Sequence, residues 1–192
     1  MNRFFEENQY LIVENFFSEK ECENLYNEYS QFLQREKIAA KKIDSIVNSA
    51  TQAPSYAMFM EKLCMIYPRV VEIVEEKLLP TYALGRIYTN GSILKKHVDR
   101  PACEISLTIN LAQDKEWAIW LNSNKTSKQI IQKPGDALFY LGCDVEHWRE
   151  PYDGSMYCQV FFHYVRSRGK RAQHYFDKMM MNCMNTEKVL KF

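Results

Sequence analysis

Two periodicities divide this chain. Between Glu19 and Arg35 the apolar side chains Cys22, Leu25, Tyr26, Tyr29, Phe32 and Leu33 recur at three- and four-residue steps. That spacing predicts a helix with one buried stripe. Ser18 stands before it as an N-cap, with Glu19 and Glu21 in the first turn, where carboxylates suit the helix dipole. A second run, Met58, Leu63, Ile66, Val70, Ile73, Val74 and Leu78, has Glu72, Glu75, Glu76 and Lys77 on its wet side. It predicts a helix from about Tyr56 to Leu79, interrupted at Pro68. From Thr81 onward the period becomes two. Strands are expected over 82–88, 93–99, 104–111, 117–121, 129–132, 137–141 and 156–165, after an opening strand over 10–17. Turn chemistry separates them at Asn90-Gly91, Asn122-Ser123-Asn124-Lys125 and Lys133-Pro134-Gly135-Asp136. The fold class is therefore mainly β with flanking helices, a sandwich or jelly-roll barrel.

Strand parity assigns faces. Ile105, Leu107 and Ile109 alternate with Ser106, Thr108 and Asn110, so an apolar face packs on helices and a polar face looks into a cavity. On the last strand Cys158, Val160 and Phe162 take the helix side, and Tyr157, Gln159, Phe161 and His163 look inward. Trp148 should face outward, and Trp117 and Trp120 read as core or rim. At 192 residues the chain reads as one domain. It has a helical layer over about 18–80, a β core over about 81–165 and a tail over 166–192. That tail is first basic (Arg166, Arg168, Lys170, Arg171), then helical through Met179–Met181. Residues 36–56 lack periodicity and break at Ala53-Pro54-Ser55, which suggests a loop near the entrance of a site.

Composition changes this picture little. The sequence is 46% hydrophobic and 26% charged, with net charge +1, which gives no electrostatic case for a nucleic-acid or membrane partner. Six cysteines are scattered with no close pair, so they read as reduced, mostly buried thiols. Acidic residues at Glu6 and Glu7 come too early for a secretory signal, and no apolar run is long enough to span a bilayer. A cytoplasmic location is expected.

The candidate chemistry lies in His97-Val98-Asp99 and in Asp144-Val145-Glu146-His147-Trp148-Arg149. On an extended strand, residues two apart share a face, so His97 and Asp99 would project together. His147, about fifty residues later, would complete a 2-His-1-carboxylate set, which leaves open positions on an octahedral metal. An isolated His-x-Asp is common on protein surfaces. Here it follows a strand-turn-strand, and a Pro-Gly-Asp turn with an aromatic strand precedes the later histidine.

In this order of motifs the region from Tyr10 to Tyr164 resembles the Fe(II)- and 2-oxoglutarate-dependent oxygenases, in particular the prolyl 4-hydroxylase-like group. The residues that carry the resemblance are Ile12–Ser18 with the Cys22-containing helix, Arg86-Ile87-Tyr88, His97-Val98-Asp99, Gly135–Tyr140 and His147. It implies a double-stranded β-helix, Fe(II) held by His97, Asp99 and His147, and 2-oxoglutarate chelating the metal. It further implies O2 as co-reactant, ascorbate as an optional reductant, decarboxylation of 2-oxoglutarate to succinate, and hydroxylation of a C–H bond. Such a family usually places Arg or Lys on its last strand, nine or ten residues after the distal histidine. Here Met156 and Tyr157 stand there, and neither carries a charge. A buried dicarboxylate needs a cation. Arg149, two residues past His147 and on its face, is the first choice, because a guanidinium grips a carboxylate with two parallel hydrogen bonds. Arg86 is the reserve, and Tyr88, Asn110 and Tyr157 are further cosubstrate contacts by parity and resemblance. The substrate suggested by the nearest subgroup is a prolyl residue in a peptide or protein, with a free amino acid or other small molecule as the alternative. A jelly roll that binds metal or ligand without turnover, and a cupin-type metalloenzyme without 2-oxoglutarate, are the competing classes.

Overall fold

The computed structural model describes residues 1–53 and 56–177. Two antiparallel sheets face each other. The larger has five strands in the order β1 (Tyr10–Val13), β7 (Ala137–Tyr140), β4 (Ile105–Gln113), β9 (Tyr157–Arg166) and β2 (Leu78–Tyr88). The smaller has four, in the order β3 (Leu94–His97), β8 (Glu146–Arg149), β5 (Ile119–Ser123) and β6 (Thr126–Ile130). The short helix α1 (Arg3–Asn8) precedes β1, and α2 (Glu19–Arg35), α3 (Ala57–Met65) and α4 (Tyr67–Val74) follow it.

Helix α2 begins as its sequence suggests. Ser18 accepts from the Glu21 backbone N–H, and the Glu21 carboxylate accepts from the Ser18 N–H, a reciprocal capping box. Its buried stripe of Cys22, Leu25, Tyr29 and Leu33 lies on the outer face of the five-stranded sheet. The Tyr29 hydroxyl donates to the carbonyl of Gly85 at 2.7 Å, so the helix is also tied to the edge strand β2. The expected parity of β4 and β9 holds. Ile105, Leu107, Ile109, Cys158, Val160 and Phe162 join the helical core, whereas Ser106 and His163 pair side by side on the opposite face.

Several elements differ from the sequence reading. The second helix is two, with Ile66 closing α3 and Pro68 in the first turn of α4, where its missing N–H costs nothing. It does not reach Leu79. Glu75 takes a left-handed conformation (φ 52°), the chain turns, and Leu78 and Leu79 pair with Arg166 and Val165 as the start of β2. The opening strand stops at Val13. Asn15 turns the chain (φ 51°), and Phe16 and Phe17 enter the core as loop residues. The Phe17 carbonyl lies 2.4 Å from where a Cβ on Gly135 would sit, which requires glycine in that turn. Trp117 precedes β5 rather than starting it, and β6 begins earlier than expected, at Thr126. Helix α1 carries too few residues to show a period.

Residues 36–53 are tied to the sheets. Isolated bridges join Lys41 to Ala50, Val47 to Leu94 and Thr51 to Ile87, so this stretch lies against β2 and β3. Of the basic tail, Arg166 and Arg171 both pair with the buried Glu104. The helix expected through Met179–Met181 lies outside the described residues. The cysteines among the described residues are free thiols. No helix among them is long and apolar enough to cross a membrane.

Candidate metal centre and cavity

The space between the sheets opens into a cavity of about 440 Å³. His97 and His147 sit directly opposite each other on β3 and β8, with ring centroids 4.2 Å apart. The expectation that one extended strand carries both His97 and Asp99 fails, because β3 ends at His97. Asp99 is positioned instead by the following loop, where its backbone N–H donates to the Gly142 carbonyl at 2.8 Å. Its Oδ1 still lies 3.6 Å from Nε2 of both histidines. The structure thus brings the three expected side chains together, with ligand-type atoms within 4.8 Å of one another.

Their orientation is fixed from behind. Nδ1 of His97 lies 2.7 Å from the Lys95 carbonyl, and Nδ1 of His147 lies 3.0 Å from the Val145 carbonyl. A carbonyl can only accept, so each Nδ1 carries the proton and each Nε2 turns a lone pair toward the centre. Asp99 is held by its other oxygen, Oδ2, which accepts from Ser106 Oγ at 2.9 Å. Burial pushes the Asp99 carboxyl up, but the neighbouring His97, with His147 and His163, outweighs this and brings it to about 2. Burial lowers the pKa of His147 despite Asp99 beside it, which favours the neutral, ligating imidazole. The ring of Tyr140 packs edge-on against His147 at 4.8 Å.

Arg149 occupies the closed side of the cavity and is 2% exposed. Its guanidinium is clamped between the rings of Trp117 and Tyr157, at 4.7 and 4.8 Å. It donates to the Trp117 carbonyl, and at 3.3 to 3.4 Å to the Gln159 amide oxygen and the Tyr157 hydroxyl. Its Nε has no partner, and no carboxylate among the described residues pairs with it. A buried cation without a counter-ion is costly, so this site is chemically incomplete without an anion.

Arg86 also lines the cavity. Tyr88, Asn110 and Tyr157 stand behind its wall. Tyr88 packs on Trp117, and its hydroxyl accepts from Arg86 at 3.4 Å. The amide of Asn110 bonds Gln113 and the Gln132 carbonyl, leaving its buried Oδ1 without a partner. Trp148 faces outward, stacked on Trp120. The sequence reading missed Tyr82, Asp44, Gln52 and Gly142. Tyr82 was within reach of it, since Tyr82, Leu84, Arg86 and Tyr88 alternate on one face. Asp44 and Gln52 lie in an aperiodic stretch that carries no such signal.

No family model and no curated protein matches this sequence. Solved structures do match its fold. A prolyl-4-hydroxylase from Pseudomonas putida superposes with a TM-score of 0.65 at 13% identity, over 86% of this chain and 96% of that one. HygX from Streptomyces hygroscopicus, crystallised with nickel and 2-oxoglutarate, gives 0.68 at 12% identity over 88% of each chain. The viral collagen prolyl hydroxylase vCPH from Paramecium Bursaria Chlorella virus-1 gives 0.59 at 15%, over 83% and 97%. The chain therefore has the jelly-roll fold of the 2-oxoglutarate oxygenases. Within that class, the structures it is similar to include the prolyl 4-hydroxylase type, as its motifs suggest.

Proposed function

We propose that this protein is an Fe(II)- and 2-oxoglutarate-dependent dioxygenase. The observation that carries the reading is one cavity with two complementary sets of groups. On one side two imidazoles and a carboxylate turn their donor atoms to a common point. On the other a buried guanidinium lacks an anion. This donor set suits ferrous iron and leaves coordination positions open. Arg149 answers the distal carboxylate of 2-oxoglutarate in place of the base missing at Met156 and Tyr157.

Bound there, Fe(II) and 2-oxoglutarate would supply the oxidative chemistry, in which O2 is consumed, succinate and CO2 form, and a C–H bond is hydroxylated. The chain's own residues bind and orient. The Lys95 and Val145 carbonyls keep Nε2 of His97 and His147 pointed at the metal, and Ser106 holds Asp99 Oδ2 so that Oδ1 stays available. Trp117 and Tyr157 restrict the Arg149 guanidinium to one plane, which lowers the entropy lost when it pairs with a carboxylate. Leu94, Ile119 and Phe161 keep the cavity wall apolar.

The fold leaves the substrate open. Its neighbours include prolyl hydroxylases and a structure of HygX with hygromycin B bound. The test is succinate formation from 2-oxoglutarate with Fe(II) and O2, alongside calorimetry of 2-oxoglutarate on the Mn(II)-loaded protein. Metal binding with no 2-oxoglutarate binding would leave a metal-binding jelly roll and end the dioxygenase reading.

A further inference from the structure

Two guanidinia, and not one, face this cavity without a carboxylate partner among the described residues. Arg149 is the first. The second is Arg86, which sits on the inward face of β2 opposite Gln159. Its Nε donates to the Gln52 side-chain oxygen at 2.6 Å, one terminal nitrogen reaches the Tyr88 hydroxyl at 3.4 Å, and its plane lies over Phe161 at 5.4 Å. These neutral contacts hold the group in place and leave its remaining N–H groups unused. Asp44 lines the same cavity but is beyond ion-pair distance of it, whereas the third cavity arginine, Arg100, is paired with Asp177.

2-Oxoglutarate carries two carboxylates. In the proposed reading one goes to the metal with the keto oxygen and the other to Arg149, so Arg86 is left without an anion after the cosubstrate is bound. Resting on that reading, we propose that Arg86 binds the acidic group of the substrate, which is a small aliphatic carboxylic acid and not a residue within a peptide chain. A fixed cation in a partly buried wall is well suited to a ligand that brings the opposite charge. The rest of the wall fits an aliphatic body, since Ile43, Ile46, Leu84, Leu94 and Ile119 surround the remaining space. The whole cavity, at about 440 Å³, is in the range that encloses small-molecule ligands. Residues 43–52 form one side of this space, and Gln52 from that stretch is what braces Arg86.

The test is calorimetry on the Mn(II)- and 2-oxoglutarate-loaded protein with matched probes: L-leucine, L-proline and isovalerate against leucinamide, prolinamide and isovaleramide. The expected result is that at least one acid binds about tenfold or more tightly than its amide, the size of one charged hydrogen-bonded contact, with isovalerate against isovaleramide as the pair whose amide carries no charge. Arg86→Gln should erase that contrast, and Arg86→Lys should keep part of it. Melting temperature and 2-oxoglutarate affinity, measured on each variant, report folding and the cosubstrate site. Amides that bind as well as acids, or binding of a blocked prolyl peptide while no acid binds, overturn the proposal. So does an Arg86→Gln variant that loses 2-oxoglutarate more than it loses the acid, because Arg86 would then belong to the cosubstrate. Failure of the wild type to bind 2-oxoglutarate sinks the dioxygenase reading separately, and the acid-amide contrast is then read on the Mn(II)-loaded protein alone.

Discussion

The two sheets of this barrel are built differently. The five-stranded sheet is covered on its outer face by α2 and α3, and its outward residues are almost wholly buried. The four-stranded sheet has short strands, an outward face with Trp120, Trp148 and Asn122, and an edge strand, β6, that is exposed along most of its length. Yet the uncovered sheet carries both imidazoles of the triad and Arg149. The covered sheet supplies what steadies them, with Ser106 on Asp99, Tyr140 on His147, and Tyr157 and Gln159 on Arg149. The lesson is a division of labour. The candidate ligands sit mostly on the lightly built sheet, oriented by the Lys95 and Val145 carbonyls on their own side, and the braced sheet adds contacts from across the cavity.

Substitutions on each side should separate these roles. The largest effect is expected for Asp99→Ala, which removes the only carboxylate of the triad. Mn(II) affinity should fall by more than about a hundredfold, and 2-oxoglutarate turnover should vanish while circular dichroism reports a folded chain. Retained turnover would rule out His97, Asp99 and His147 as the proposed metal site. Arg149→Gln should leave Mn(II) binding in place and weaken 2-oxoglutarate by about ten- to a hundredfold, the loss of charged hydrogen bonds in a buried site. Equal affinity in the variant would remove Arg149 from the cosubstrate site.

Two glycines sharpen the contrast between sheets. At Gly85 a Cβ would meet the Phe59 ring at 2.4 Å and the Tyr29 ring at 2.9 Å, under the helices. Gly85→Ala should lower unfolding stability by about 1–3 kcal/mol, as overpacked cores do, with metal affinity little changed. At Gly142 a Cβ would meet the Cys103 carbonyl, Asp99 Oδ2 and Ser106 Oγ at 2.3 to 2.6 Å. Gly142→Ala should therefore act mainly on metal affinity. If chemical denaturation and metal titration report the same ranking for both variants, the division fails.

Smaller effects come from the groups behind the triad. Ser106→Ala should weaken Mn(II) binding by about tenfold, typical of a lost contact behind a metal ligand. The pH dependence has a defined sign. Burial holds His163 at about 4 and lowers His147 as well, against an unfolded value of about 6.5. Between those values the unfolded chain binds more protons than the folded one, so metal-free stability should fall as pH drops from about 6.5 toward 4. Asp99, also lowered, acts in a lower window, with stability lost as pH falls from about 4 toward 2. Denaturant midpoints that stay flat between pH 7 and 4.5 would contradict the buried neutral histidines.

The sequence by itself determined the helix α2 with its cap, the inward and outward parity of β4 and β9, and the identity and order of His97, Asp99 and His147. These follow from local periodicity and from side-chain chemistry that does not depend on distant partners. Only the tertiary structure decided that Asp99 reaches the centre from a loop tied to Gly142, that Glu75 ends the second helical run, and that residues 43–52 wall the cavity. It alone left Arg86 and Arg149 without counter-ions. Each of these depends on contacts between residues far apart in the chain, where loop closure and burial, rather than spacing, set the outcome.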